Sequence, residues 1–119
     1  MDDWEFDPDE LKIRTGETIE VRGVGGEFHT FTKVKEFGGG CVQEINELLN
    51  LKPVVECELV QVPGAPDGVK APRGFFEDAV PPSVTLKVSA AKLTPGTHKF
   101  ECLIHPWMHA VVKVRAARQ

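Results

Sequence analysis

Cys102, His105 and Met108 stand in one short run, Phe100-Glu101-Cys102-Leu103-Ile104-His105-Pro106-Trp107-Met108. A thiolate, an imidazole and a thioether at this C-x2-H-x2-M spacing can be aimed at one point by a single tight loop. All three are soft or borderline donors. A fourth candidate, His29, lies far upstream in Glu27-Phe28-His29-Thr30-Phe31-Thr32. Two His and one Cys in a plane, with a weak axial Met, form a donor set that holds copper for electron transfer. Pro106 stiffens the loop by fixing its own φ and restricting His105. Leu103, Ile104, Pro106 and Trp107 surround the donors with apolar bulk that keeps water away and helps set a potential.

Such donors need a rigid frame, and the chain reads as short strands. Glu10 to Arg14 and Glu17 to Arg22 alternate polar and apolar around a Thr15-Gly16 turn, which predicts two strands with Leu11, Ile13, Ile19 and Val21 facing a core. Phe28 to Val34 is expected to be a further strand, with His29 and Phe31 on one face and Phe28, Thr30 and Thr32 on the other. Val42, Ile45, Leu48 and Leu49 recur at helical spacing, so one short helix is expected at about 42–50, packed on the sheet and stopped by Pro53. Val54 to Val62 reads as a strand, and the Pro- and Gly-rich stretch 63–82 as a long ordered loop. Val84, Leu86 and Val88 alternate again. Thr94 to Thr97 is a turn signal. It precedes a strand with His98, Phe100 and Cys102 on one face and Lys99 and Glu101 on the other. After the donor loop, Ala110, Val112 and Val114 alternate with Val111, Lys113 and Arg115. Short strands bounded by turn signals favour an all-β sandwich, with residues 1–119 as a single domain.

The totals narrow the function. A net charge of -4 excludes a general nucleic-acid binder. No apolar run has membrane-spanning length. Met1 is followed by Asp2 and Asp3 rather than by a basic and then an apolar stretch, so the chain opens on no secretory signal. Three cysteines leave Cys41 and Cys57 beside Cys102. They could pair as a disulfide, which would imply an oxidising compartment, or stand as two buried thiols; spacing leaves both open.

Glu10 to Thr32 and Thr97 to Val114 resemble the first and last parts of a cupredoxin. Cys102-Leu103-Ile104-His105-Pro106-Trp107-Met108 is similar to the short ligand loop of the plastocyanin and amicyanin type, and Gly96 to Cys102 resembles the strand that leads into it. The resemblance implies a Greek-key β-sandwich, one type 1 copper, and ligation by His29, Cys102, His105 and Met108, with Met108 axial. It implies one-electron transfer between redox partner proteins through a weak, transient interface near His105, by a chain expected to be monomeric. It further implies a periplasmic or other extracytoplasmic site of action, reached through a leader or anchor removed ahead of Met1. His98 stands where the family usually has Tyr. Thr30 stands where Asn is common, which alters a contact beside the copper ligands but leaves a backbone N–H available to the Cys102 sulfur. Residues 35 to 82 match nothing in the family pattern.

Other roles are weighed against these residues. His98 is expected to be a satisfied structural histidine and His109 a surface residue pointing away from the donors. Trp107 can serve as a lid, a packing residue or part of a docking patch. Trp4, Phe75 and Phe76 read as packing residues, and the acidic run Asp2, Asp3, Glu5, Asp7, Asp9 and Glu10 as a solvated face. Catalysis by this chain is not expected: the additional His-x-His and His-Cys-His motifs of a multicopper oxidase are absent, and the loop holds no second Cys for a binuclear site. Copper storage or delivery, or service as the electron-transfer module of a larger oxidoreductase, remain as alternatives. Zinc is disfavoured because Met is a poor ligand for it.

Overall fold

The structure is a computed structural model that describes residues 5–116; Trp4, Asp2 and Asp3 lie outside the described residues. Its elements in chain order are β1 (Glu10–Arg14), β2 (Thr18–Arg22), β3 (His29–Thr30), β4 (Thr32–Val34), α1 (Gln43–Leu49), β5 (Leu59–Gln61), β6 (Lys70–Pro72), α2 (Gly74–Glu77), β7 (Ala79–Val80), β8 (Thr85–Ser89), β9 (Gly96–Glu101) and β10 (His109–Arg115). The fold is a β-sandwich. One layer is the four-stranded sheet β1-β10-β9-β4, and the pairs β2-β8 and β3-β7 oppose it. β1 runs parallel to β10, with Leu11 opposite Val112, while β9 and β10 form the antiparallel hairpin that carries the donor loop at its tip.

Alternation drives these pairings. Ala110, Val112 and Val114 of β10 are buried with Phe100 of β9, Ile19 of β2 and Val80 of β7, while Leu11, Ile13, Val21, Leu86 and Val88 pack against them. Phe31 and Phe100 stack at 4.2 Å between centroids and 9° between planes, tying the upstream strand to β9.

Four expectations are corrected. Phe28 to Val34 is not one strand. The chain leaves β7 for β9 at Phe31, whose N–H donates to the Asp78 carbonyl (2.9 Å), so Thr30 and Thr32 are buried along with His29 and Phe31. Residues 63–82 are not a loop throughout: they hold β6, the four-residue α2 (a second short helix) and β7, whose Val80 pairs with His29. The first part of 54–62 is a 3-10 turn, Val55–Cys57, before β5. The helix is found at Gln43–Leu49, but its buried residue is Asn46, and Leu48 is 74% exposed. A polar anchor, not the apolar stripe, docks this helix. Cys41 and Cys57 form a disulfide, resolving the alternative left open by spacing.

Candidate metal centre

β9 ends at Glu101, so Cys102 begins the loop with its side chain on the interior face, where it is fully buried. The loop then closes on itself. The Met108 N–H donates to the His105 carbonyl (2.9 Å), and the Cys102 N–H donates to the Met108 carbonyl (3.1 Å). The His105 N–H points at the Cys102 sulfur (3.4 Å). Pro106 is fully buried. This turn returns the chain to β10 and turns His105 back over Cys102.

His29 arrives from the opposite layer, held by the β3-β7 pairing. Its Nδ1 lies 3.1 Å from His105 Nδ1 and 3.9 Å from Cys102 Sγ, and His105 Nδ1 lies 3.6 Å from the same sulfur. These three sides enclose a point about 2.1 Å from all three atoms, which matches the roughly 2.0–2.3 Å of metal–nitrogen and metal–sulfur bonds. Met108 is 4% exposed and shares the lining of one recess with His29. Among the described residues this is the one group of three or more His, Cys, Asp or Glu donors close enough to hold an ion. The donor set fits a single type 1 copper: one thiolate, two imidazoles through Nδ1, and a buried thioether nearby.

The surroundings favour this use. Burial pushes the His29 imidazole below its ordinary value, and burial together with His29 does the same for His105. Both shifts favour the neutral rings, whose lone pairs a cation needs. Burial raises the Cys102 thiol, while the Thr30, His105 and Ile104 backbone N–H groups and the Thr30 hydroxyl oppose that rise. The Thr30 hydroxyl oxygen accepts from the Leu103 N–H (2.9 Å), so the residue fixes the loop behind the sulfur. Trp107 sets its ring edge-on to His105, with centroids 5.4 Å apart.

His98 is outside the donor group. It is buried, and its Nε2 bonds the Thr94 carbonyl (2.6 Å), as a structural histidine would. His109 is exposed, as expected of a surface residue, and it stacks on Phe37 at 3.9 Å, with its Nε2 3.9 Å from Glu101 Oε1.

Three positioning residues escaped the sequence reading. Asn46 accepts from the Gly40 N–H (2.9 Å) and donates to the Gly40 carbonyl (2.8 Å). A Cβ at Gly40 would overlap the Leu103 carbonyl oxygen, so glycine is what lets residues 38–41 lie against the donor loop. Cys41 then donates its N–H to that same carbonyl. Glu101 is fully buried, not on an outer strand face. Its Oε1 accepts from the Gly38 N–H (3.0 Å), and burial pushes its carboxyl up to about 7. The consecutive Gly38-Gly39-Gly40 and the lone Asn in the apolar stripe of α1 were the available signals.

No family model matches the chain, and no curated protein matches it in sequence. Solved structures do share its fold. A purple cupredoxin from Nitrosopumilus maritimus is similar over 93% of this chain and 82% of its own, with TM-score 0.52 at 15% identity. A reduced amicyanin mutant is similar over 93% of this chain and 73% of its own, with TM-score 0.53 at 14% identity. A mutant plastocyanin of a fern is similar over 95% and 90%, with TM-score 0.51 at 21% identity. At these identities the likeness is one of fold.

Proposed function

We propose that this chain, which has the cupredoxin fold, is a one-electron carrier that works through a single type 1 copper held by His29, Cys102, His105 and Met108. The observation that carries the reading is the triangle of His29 Nδ1, His105 Nδ1 and Cys102 Sγ, buried and sized for one ion. Copper bound there would supply a reversible one-electron couple, favoured in its reduced state by the sulfur donors.

The chain's own residues do the rest. His29 is fixed by one layer and Cys102 by the other, so neither moves without disturbing the sandwich. A frame that holds its donors still keeps reorganisation small when charge changes. Thr30 and the loop N–H groups stabilise the thiolate, while Leu103, Pro106 and Met108 exclude water. Trp107 lies beside His105, the side through which we expect electrons to leave toward a partner protein held weakly enough to dissociate. We place the protein outside the cytoplasm, where the Cys41–Cys57 disulfide would persist. We take it as a monomeric, single domain with no catalytic reaction of its own. Among the described residues no helix is long and apolar enough to cross a membrane.

Copper storage or delivery is the second reading. It is favoured by the recess of about 270 Å³ that reaches His29 and Met108. Voltammetry of the copper-loaded protein, paired with a chelator challenge, separates the two. A carrier gives a reversible one-electron wave and loses copper slowly; a delivery protein gives rapid exchange and no reversible wave.

A further inference from the structure

Of the eight large apolar side chains exposed among the described residues, four, Leu48, Leu51, Val55 and Leu59, fall within residues 48–59. Beside this stretch runs a groove of about 430 Å³ between α1 and the β5-β6 pair, floored by the Cys41–Cys57 disulfide and walled by Leu51, Leu59, Pro53 and Pro72. We propose that this groove is the docking face for a basic redox protein that presents an apolar patch ringed by lysine and arginine. The proposal rests on the carrier reading and names the kind of partner that reading requires.

Continuity ties the groove to the metal centre. Leu51 also lines a second apolar recess together with Phe37, Pro106, Trp107 and His109. One apolar surface therefore runs from the Trp107 ring beside His105, over Leu51, to Leu59. A partner seated along it has its edge at the residue through which electrons would pass. Contiguous exposed apolar surface of this kind marks an interaction site on a soluble protein.

Charge selects the occupant. Glu47 lines the groove, and Glu44 and Glu58 are exposed in the same stretch 43–59, against Lys52 within it and Lys70 on β6. Arg73, next to Pro72, is drawn to Glu77 (3.8 Å). Acidic rims favour basic partners and raise their rate of encounter. They disfavour a second copy of this chain, because a two-fold interface would set the same glutamates against each other. The disulfide and the Asn46–Gly40 pair hold the groove preformed, so binding orders little of the chain.

The test is an amide chemical-shift titration of the full, copper-loaded, reduced chain with mitochondrial cytochrome c, a basic haem protein whose exposed haem edge is ringed by lysines. Shifts should cluster at 43–51, Leu59 and Trp107 and fade as salt is raised. Glu47→Lys with Glu58→Lys should weaken binding about tenfold, and Leu51→Ser with Leu59→Ser should weaken it comparably; all four side chains are exposed, so folding is spared. Absence of shifts, or shifts confined to the acidic stretch 5–10, would overturn the proposal. So would a dimer in sedimentation that the Leu51→Ser, Leu59→Ser pair dissolves, since a second copy would then own the groove. Amide shifts report docking whether or not the metal is redox-active, so failure here is distinguishable from failure of the copper assignment.

Discussion

Asn46 holds Gly40 by both of its backbone polar groups, accepting its N–H at 2.9 Å and donating to its carbonyl at 2.8 Å. Gly40 in turn lies against the Leu103 carbonyl, one residue from the proposed sulfur ligand. A helix that contributes little to the apolar core thereby braces the donor loop. Asn46→Ala should cost about 2–3 kcal/mol, the worth of two buried hydrogen bonds and the groups they leave unmet. Urea unfolding checks the magnitude. Because the brace ends at the loop, the copper-loaded variant should also show a shifted or broadened visible band. A stability loss with an unchanged band would limit Asn46 to holding the helix.

Met108 is buried and bound through its backbone to both His105 and Cys102, so replacing its side chain should leave the loop in place. If its thioether is the weak axial donor, Met108→Leu should raise the reduction potential and Met108→Gln should lower it. Each tenfold change in the relative hold on the two oxidation states is about 59 mV for a one-electron couple. Voltammetry reads this directly, and equal potentials in both variants would remove Met108 from the ligand set.

Asp78 braces the strand that carries His29: its carbonyl accepts the Phe31 N–H, and burial pushes its carboxyl up to about 6 despite a hydrogen bond with Thr32. The sign follows from linkage. A carboxyl whose pKa is higher folded than unfolded contributes stability below about pH 4, and loses it as pH rises toward 6. The carboxyl is partly open to solvent, so the effect is about 1–2 kcal/mol. Wild-type stability should therefore fall, relative to Asp78→Asn, between pH 4 and pH 7. Urea midpoints of the two proteins at those pH values test it; parallel midpoints would refute the shift.

The local parts of this structure were readable from residue order. β9, the donor loop and β10 follow one another in the chain, and a period of two places Phe100, Cys102, Ala110 and Val112 inward without reference to anything distant. His29 was readable as the missing donor because an aromatic-rich strand surrounded it. What was hidden depends on contacts far apart in sequence. Glu101 has the alternation of an outward residue, and only the covering segment at Gly38 buries it. The strand after His29 switches partners at Phe31 because β7, within a Pro- and Gly-rich stretch, supplies its neighbour. The apolar spacing of α1 pointed to a buried stripe, whereas Asn46 is the side chain that docks.

The convergence of His29, Cys102 and His105 on one buried point is the central claim, and the visible spectrum of the Cu(II) protein tests it most directly. The account predicts an intense thiolate-to-copper charge-transfer band, with an EPR signal to match, and loss of that band in Cys102→Ser. A colourless Cu(II) complex with ordinary tetragonal spectra, or a band that survives Cys102→Ser, would contradict it.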